Sequence, residues 1–249
     1  MDLCTAKREF DQNGFTVLRG FMQPDEIDHI NRELKRYIAD VLPGLPDTAG
    51  FYEDTADPST LMRLQNMCDY DDFFHALYYG ERMMSLSSLL MDGPVRGKNM
   101  QWFNKLPAGG KETPPHQDGF YFMLEPNEAL TLWLSQDSVD EENGCVRYIP
   151  GSHRGGMRPH QRTSILGFSQ GISDFSGQDI ASEIPVCTEP GDLIAHHCLT
   201  VHRADANTSQ RTRRALGFVY FSERAHEDAQ RAETYRQQLY AEWEREGKL

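Results

Sequence analysis

The spacing of apolar residues predicts helices in the first third of the chain. Between residues 23 and 42, apolar side chains recur at the spacing of one helical face, and Pro24 suits a first helical turn. A second helical stretch, residues 71–91, contains Gly80, which predicts an interruption or bend there. The apolar positions of the first stretch are Ile27, Ile30, Leu34, Ile38 and Val41.

After Gly93 and Pro94 the pattern changes to short runs typical of strands, separated by turn residues. The runs are "KNMQWFNKL", "GFYFML", "ALTLWLS", "CVRYIP", "DLIAHH" and "RALGFVYFS". Helices followed by successive strands predict an α+β, mainly β fold built on an antiparallel sandwich or barrel. We expect one domain, residues 1–249, with a helical N-terminal part (about 1–93), a sheet core (about 94–222) and a C-terminal helix (about 223–247). The last helix carries one apolar stripe of Ala232, Tyr235, Leu239 and Trp243, which predicts docking on its own sheet or on a second chain.

A polar, glycine-rich segment interrupts the strands at about residues 154–182. It is too polar to build core, yet four apolar side chains in it need a packing site: Ile165, Leu166, Phe168 and Phe175. We predict a mobile lid that closes over a substrate, and the alternative is a permanently ordered surface loop. Its arginines, Arg154, Arg158 and Arg162, are candidates to pair with a carboxylate or phosphonate.

Composition narrows the class of protein. The 249-residue chain has a net charge of −13, which disfavours nucleic acid and anionic membranes as partners, since both require basic patches. Five cysteines without a C-x-x-C pair favour reduced thiols. The start has no run typical of a signal peptide, and no stretch is apolar enough to span a membrane. These features predict a cytoplasmic protein acting on a small molecule, either monomeric or homodimeric.

The stretch "TPPHQDGFYF" contains a candidate metal-binding pair, His116 and Asp118. If the stretch is a strand, residues i and i+2 point to the same face. The pair alone is weak, because H-x-D also occurs by chance. Residues 191–221 add three histidines and several arginines. Two histidines and one carboxylate form the facial triad of non-haem Fe(II) oxygenases, and arginine is suited to bind the distal carboxylate of a 2-oxo acid.

Taken in order, these stretches resemble the phytanoyl-CoA dioxygenase family of Fe(II)/2-oxoglutarate oxygenases. The resemblance covers roughly residues 9–222 and rests on "DQNGFTVLRGFMQPDEI", "QWFNKLP", "PPHQDGFYF", "LTLWLSQDSVDEENGCVRYIPGSH" and "GDLIAHH" with the residues that follow it. It implies a double-stranded β-helix (jelly roll) with flanking helices, and Fe(II) with 2-oxoglutarate as cosubstrate.

The resemblance also implies roles for individual residues. The metal ligands would be His116, Asp118 and His202, because Asn207, Ser209 and Arg213 follow His202 at the family's offsets. His196 and His197 do not have these offsets. We expect His197 to fill space near the site and His196 to lie on the opposite face.

Around the metal, the resemblance implies that Arg213 binds the distal carboxylate of 2-oxoglutarate, while Arg211 and Arg214 are surface charges. Gln101 and Lys105 fall where the family lines the cosubstrate pocket, and Trp133 either walls the site or packs in the core. Gly144 and Gly151 are expected in turns, and His153 could approach the substrate.

The implied function is a dioxygenase that hydroxylates an unactivated C–H bond of a small polar or anionic metabolite, with release of succinate and CO₂. Halogenating relatives replace the metal carboxylate with a small residue, so the presence of Asp118 favours hydroxylation or another outcome of the same oxidation, such as desaturation. Three alternatives remain: hydroxylation of an acyl-CoA thioester, a metal-dependent hydrolase or isomerase on a cupin-like barrel, and a non-catalytic binding protein.

Overall fold

The computed structural model describes residues 2–165 and 168–245, without the side chains of residues 164, 165, 168, 169, 236, 240 and 242–244. The α-helices in these residues are α1 (Leu3–Asn13), α2 (Pro24–Arg36), α3 (Met67–Tyr70), α4 (Asp72–Tyr78), α5 (Glu81–Leu90), α6 (Gly119–Phe122), α7 (Gly177–Ser182) and α8 (Ala229–Arg245). Within the same residues, none of the helices is both long and apolar enough to cross a bilayer.

Most of the strands follow the N-terminal helices along the chain. They are β1 (Phe15–Leu18), β2 (Gly50–Tyr52), β3 (Leu61–Gln65), β4 (Val95–Lys105), β5 (Thr113–His116), β6 (Leu124–Glu125), β7 (Ala129–Ser135), β8 (Val146–Tyr148), β9 (His160–Ile165), β10 (Phe168–Ile172), β11 (Ile184–Val186), β12 (Leu193–His197), β13 (His202–Ala204), β14 (Arg213–Ser222) and β15 (His226–Glu227).

Two antiparallel sheets form the body of the molecule. The large sheet has the order β1-β12-β7-β14-β4-β3-β2 and the small sheet the order β11-β8-β13-β5. Strands β9 and β10 pair with each other, as do β6 and β15. Neither main sheet closes on itself, so the sandwich form of the prediction is the correct one and the fold is a jelly roll with flanking helices.

The strand alternation separates a core face from a site face. On β7 the side chains of Leu130, Leu132 and Leu134 join α1, α2, α4 and α5 in the main hydrophobic core. Thr131 and Trp133, between them, point to the other side and line a cavity. Because helices cover one face of the large sheet and the small sheet covers the other, its strands appear in sequence as nearly continuous apolar runs.

The N-terminal helices follow the predicted pattern. A capping box formed by Gln23 and Glu26, with Pro24 in the first turn, begins α2, which buries Ile27, Ile30 and Leu34. Gly80 separates α4 from α5 as predicted. The N-terminal part is not wholly helical, however, because β1, β2 and β3 all join the large sheet.

The "GFYFML" run was wrongly predicted as a strand. Residues Gly119–Phe122 form α6, a single helical turn, and only Leu124 and Glu125 are extended. Gly119 explains the departure, because its amide donates to the Cys198 carbonyl at 2.9 Å and a Cβ there would lie 2.5 Å from Asn127 Oδ1. This close approach bends the chain after His116, whereas the apolar pattern alone favoured an extended run.

The polar segment contains more regular structure than predicted. It contains the β9–β10 hairpin followed by α7, and Gly171 of β10 lies close to Pro114 and Pro115 of β5. Of its four apolar residues, Phe175 is half-buried, Leu166 lies outside the described residues, and the side chains of Ile165 and Phe168 also lie outside them. The hairpin is therefore a separate pair of strands that packs beside β5 of the small sheet.

Candidate active site

A cavity of about 380 Å³ lies between the two sheets. The large sheet contributes residues of β3, β4, β7, β12 and β14, and the small sheet contributes residues of β5, β8 and β13. Loops after β4 and part of α8 complete the wall. The cavity is thus formed by elements from the whole length of the chain, as is usual for a site in a jelly roll.

His116, Asp118 and His202 come together at this cavity. His116 ends β5 and His202 begins β13, and the two are partners in the antiparallel register. Their ring centres are 4.2 Å apart, and their Nε2 atoms lie 3.5 Å and 3.7 Å from Asp118 Oδ1. Each residue offers one donor atom within 4.8 Å of the others. Two imidazole nitrogens and one carboxylate oxygen in this arrangement fit a divalent transition metal.

The geometry that brings Asp118 to the site differs from the predicted one. Strand β5 ends at His116, and Asp118 has helical backbone angles at the start of α6. The buried Gln117 fixes the turn, since its amide donates to the carbonyls of Gly156 and Leu199 and accepts from the Arg158 amide. The side chains of His116 and Asp118 therefore converge because of a turn rather than because of strand alternation.

Backbone carbonyls orient both imidazoles. Nδ1 of His116 lies 2.8 Å from the Pro114 carbonyl, and Nδ1 of His202 lies 2.9 Å from the Thr200 carbonyl. Nδ1–H therefore donates in each ring, which leaves the Nε2 lone pair directed to the cavity. Burial, followed by the neighbouring His116, lowers the pKa of His202 to about 3, so the ring is neutral near pH 7. A neutral imidazole is the form that binds a metal.

The Asp118 carboxyl is ionised although its side chain is only 18 % exposed. Burial opposes ionisation, but the imidazoles of His116, His196 and His202 outweigh it and hold the pKa of the carboxyl well below its usual range. Its Oδ1 faces the His116–His202 pair, and its Oδ2 accepts from Thr131 Oγ1 at 2.8 Å and from His196 Nε2 at 3.1 Å.

The expectations for His196 and His197 were wrong, because the residue that faces the site is His196 and not His197. His196 faces the cavity and contacts Asp118, whereas His197 packs near Phe10 and His153 with ring centres 6.3 Å and 5.7 Å away. Burial lowers the pKa of His197 to about 4. Strand β12 ends at His197, as the "DLIAHH" run predicted, and a turn carries the chain from there to His202 on the small sheet.

Arg213 provides a buried cation at the same cavity. It begins β14, pairs with Lys105 of β4 in the sheet register, and is only 5 % exposed. Within the described part of the chain, its Nε and Nη1 atoms have no hydrogen-bond partner. Burial lowers the pKa of its guanidinium to about 10, so it remains charged near pH 7. A buried charge with unsatisfied donors is costly, and a bound carboxylate would satisfy it.

The other predicted cosubstrate residues also line the cavity. Lys105 donates to the Asp205 carbonyl, and burial, followed by the charge of Arg213, lowers its pKa to about 6. Gln101 Oε1 accepts from Arg63 Nε at 2.9 Å. Trp133 is partly buried against Phe103, with ring centres 4.9 Å apart, so it is a wall of the cavity rather than a core residue.

Asn207 and Ser209 shape the loop that leads into β14. The Asn207 amide donates to the carbonyls of Lys105 and Arg211, and its oxygen accepts from the amide and hydroxyl of Ser209. Their spacing after His202 therefore corresponds to a buried turn that positions Arg213. Gly144, in a turn as expected with φ +84°, leaves room for the Lys105 side chain.

Four further residues lie outside the cavity, and of these only His153 was expected near the substrate. Arg214 forms an ion pair with Asp137 at 2.6 Å, and Arg211 forms one with Asp140 at 2.7 Å near the surface. His153, expected near the substrate, lies instead 3.3 Å from the Asp11 carbonyl in α1. Gly151 is in a turn with φ +76°, as expected.

Two arginines of the polar segment also point away from the cavity. Arg154 donates to the carbonyls of Asp11 and Gln12, and Arg158 forms ion pairs with Asp174 and Asp179. Arg162 lies with its guanidinium carbon 5.7 Å from the centre of the Tyr235 ring. The first two arginines therefore hold the segment in place and are not available to a substrate.

The C-terminal stripe proved to be part of the site. Ala232, Tyr235 and Leu239 of α8 line the cavity, which settles their docking in favour of the chain's own sheet. The Trp243 side chain lies outside the described residues. Tyr121 of α6 lines the cavity as well, and its hydroxyl donates to the Gln170 carbonyl at 3.1 Å. Apolar periodicity indicated the stripe, but no local signal placed Tyr121.

Comparisons with known proteins find a matching family and similar chains. A sequence model described as phytanoyl-CoA dioxygenase (PhyH) matches residues 10–215. The bovine (Bos taurus) phytanoyl-CoA dioxygenase domain-containing protein 1 is 26 % identical over 85 % of this chain and 87 % of its own length. A probable alpha-ketoglutarate-dependent hypophosphite dioxygenase of Stutzerimonas stutzeri is 26 % identical over 86 % of this chain and 77 % of its own.

Among solved structures, the epimerase SnoN in complex with Fe³⁺, alpha ketoglutarate and nogalamycin RO has a similar fold. The TM-score is 0.71 at 22 % identity, with 90 % of this chain and 85 % of that chain covered. The iron and 2-oxo acid in that complex are the cofactors predicted from the sequence of this chain.

Proposed function

The chain belongs to the phytanoyl-CoA dioxygenase family of Fe(II)/2-oxoglutarate-dependent oxygenases, and we propose that it hydroxylates a C–H bond of a small polar or anionic metabolite. His116, Asp118 and His202 hold the iron, and Arg213 binds the distal carboxylate of 2-oxoglutarate. The observation that carries the proposal is the unsatisfied guanidinium of Arg213 beside the His-Asp-His cluster in one cavity.

Each residue has a separate task in this reaction. The iron, when bound, supplies the redox chemistry that couples oxidation of 2-oxoglutarate to succinate and CO₂ with hydroxylation of the substrate. His116, Asp118 and His202 would hold the iron through three donor atoms, and the bound metal would then be able to take up the cosubstrate and O₂ as well. Arg213 and Lys105 bind and orient the cosubstrate. The guanidinium of Arg213 lies over the ring of Trp133, which keeps it in position.

The walls of the remaining cavity support the substrate class. Arg63, Asn99 and Gln101 offer polar groups, while Tyr121 and Tyr235 supply aromatic surface that excludes water. A small organic molecule with both polar groups and C–H surface fits a wall of this kind. An acyl-CoA thioester is the alternative substrate, and the formal charge of −13 disfavours it.

A hydrolase or isomerase on the same metal site is the other alternative. It has no use for a buried, unsatisfied arginine next to the metal ligands, which a 2-oxo acid cosubstrate requires. The arginine therefore favours the oxygenase over both the hydrolase and a non-catalytic binding protein.

Succinate formation tests the proposal without knowledge of the substrate. The protein is loaded anaerobically with Fe(II), mixed with 2-oxoglutarate and O₂, and succinate is quantified. We expect succinate from the wild type and from His75→Ala, an exposed-histidine control, and none from His202→Ala. Absence of succinate from iron-loaded wild type, or full activity in His202→Ala, contradicts the proposal.

The same assay distinguishes the substrate classes. Small carboxylates, phosphonates and amino-acid derivatives are added in one set of reactions and acyl-CoA thioesters in another. We expect faster succinate release, with a hydroxylated product detected by mass spectrometry, in the first set. A product found only with the thioesters overturns the proposed substrate class while leaving the enzyme class intact.

A further inference from the structure

A chain of buried hydrogen bonds leads from Tyr148 to the carboxylate of Asp118. The Tyr148 hydroxyl lies 3.0 Å from His196 Nδ1, and His196 Nε2 lies 3.1 Å from Asp118 Oδ2. Tyr148 is 0 % exposed and His196 is 2 % exposed. The two residues come from different sheets, so the hydrogen bonds connect β8, β12 and the turn after β5.

The chemistry of the groups fixes the direction of each bond. An ionised carboxylate only accepts, so Nε2 of His196 carries the proton that is donated to Oδ2. In the tautomer with its proton at Nε2, Nδ1 is the acceptor, and the Tyr148 hydroxyl donates to it. Tyr148 therefore stabilises the His196 tautomer in which Nε2–H donates to Asp118 Oδ2.

The two oxygens of Asp118 have different surroundings. Oδ2 accepts one hydrogen bond from Thr131 Oγ1, at 2.8 Å, and another from His196 Nε2. Oδ1 faces the Nε2 atoms of His116 and His202 at 3.5 Å and 3.7 Å. With two donors on Oδ2, the carboxylate cannot rotate without losing both hydrogen bonds in a buried site.

We propose that His196, supported by Tyr148, is a positioning residue that holds Asp118 with Oδ1 alone presented to the metal. The inference rests on the proposed metal site and adds to it a residue outside the ligand set. A carboxylate that turned Oδ2 inward would bind through both oxygens and occupy a position that the cosubstrate needs. His196 and Thr131 together prevent that rotation.

Metal titration of the wild type and three variants tests this role. Anaerobic Fe(II) affinity and the absorption band of the Fe(II)–2-oxoglutarate complex are measured for the wild type, His196→Phe, His196→Gln and Tyr148→Phe. Partners that orient metal ligands typically contribute 10–100-fold in metal affinity. We expect His196→Phe to weaken Fe(II) binding at least tenfold and to shift the band, because phenylalanine keeps the ring and removes the donor.

The conservative variant separates positioning from packing. Glutamine places an N–H group near the position of Nε2, so His196→Gln should recover most of the affinity and the wild-type band. Tyr148→Phe should show a smaller loss in the same direction. The control is His197→Gln, at a neighbouring position that contacts neither Asp118 nor the cavity and should retain wild-type affinity.

The outcomes distinguish this inference from the proposed function. If wild type binds Fe(II) and forms succinate while folded His196→Phe binds Fe(II) equally tightly, the positioning role is wrong and the oxygenase proposal stands. If His196→Phe does not fold, unchanged affinity and band in Tyr148→Phe, together with no loss in a Thr131→Val variant, overturn the role. If wild type itself binds no Fe(II), the proposed function fails first.

Discussion

The guanidinium carbon of Arg213 lies 5.4 Å from the centre of the Trp133 ring. Gly217, which pairs with Trp133 across β14 and β7, has no side chain, and a Cβ there would lie 3.3 Å from Phe103 and 3.7 Å from Trp133. The missing side chain leaves room for the rings of Phe103 and Trp133 to contact each other at the cavity wall, tilted by 35°. The indole face then holds the arginine in place without consuming its N–H groups, which remain for a ligand.

The first prediction concerns the cosubstrate carboxylate. Removing one partner of a buried charge pair costs about 2–5 kcal/mol, so Arg213→Ala should raise the KM for 2-oxoglutarate at least tenfold. Iron affinity should change little, since Arg213 is not a ligand. Steady-state succinate formation at varied 2-oxoglutarate gives the KM.

Arg214→Ala is the matched control, because Arg214 is the next residue of β14 and pairs with Asp137 outside the cavity. We expect a nearly unchanged KM. An effect larger at Arg214 than at Arg213 would mean that the register of the proposed cosubstrate site is wrong.

The second prediction concerns the stability cost of Lys105. Its pKa is about 6 in the folded protein, below the ordinary 10.5, so the unfolded chain binds more protons between these values and stability rises with pH across that window. Arg213 acts against its charge, while Asp205, Glu112 and Cys145 also face it. Lys105→Met should stabilise the protein at pH 7 by a few kcal/mol, since one pKa unit corresponds to about 1.4 kcal/mol.

Urea unfolding at pH 6, 7, 8 and 9 measures this effect. Lys105→Met should flatten the rise of stability with pH and, in the succinate assay, weaken 2-oxoglutarate binding. Lys98→Met is the control, since Lys98 is partly exposed and pairs with Glu227 at 2.6 Å. Equal pH slopes for wild type and Lys105→Met would show that Lys105 does not cause the slope.

The third prediction concerns acid stability. The pKa of His197 is about 4 in the folded protein and near 6.5 when unfolded, so stability is lost as the pH falls from about 6.5 towards 4. The loss reaches up to about 3 kcal/mol at roughly 1.4 kcal/mol per pKa unit. His197→Gln should reduce this acid sensitivity, as measured by thermal unfolding between pH 4.5 and 7. The exposed His29 provides the control variant His29→Gln, for which the pH dependence should match wild type.

The fourth prediction concerns the segment at residues 154–182 as a lid. Arg158 ties its two ends together through Asp174 and Asp179. Limited proteolysis of the iron-loaded protein should cut within the segment, more slowly when 2-oxoglutarate is present, and Arg158→Ala should accelerate the cut. Arg224→Ala removes an ion pair to Glu128 outside the segment and should not do so. Resistance of the segment in wild type and Arg158→Ala alike would identify a permanently ordered cover.

The sequence predicted the elements whose apolar pattern is simple. Helix α2, the break at Gly80 and the long strands β4, β7 and β14 all follow their patterns. The short strands β2, β11 and β13 are held by neighbours in the sheet, so their own residues carry little signal. The α6 turn was missed because the close contact between Gly119 and Asn127 is a tertiary one.

The candidate site was only partly predictable for the same reason. His116, Asp118, His202, Arg213, Gln101, Lys105 and Trp133 all line one cavity, as the motif order implied. The contact between His196 and Asp118 depends on where β12 ends and on the turn that follows. Alternation along β12 shows that His196 and His197 lie on opposite faces but not which face is turned to the cavity, and the expectation for the two residues was wrong.

The pairing of His116 with His202 across β5 and β13 also bears on how such a site can change during evolution. The sheet register, rather than the chain between them, sets the distance between these two imidazoles. The intervening hairpin of β9 and β10 can therefore lengthen, shorten or be exchanged while both rings stay in place. Selection can thus alter a segment that packs beside β5 without moving the two imidazoles that face the cavity.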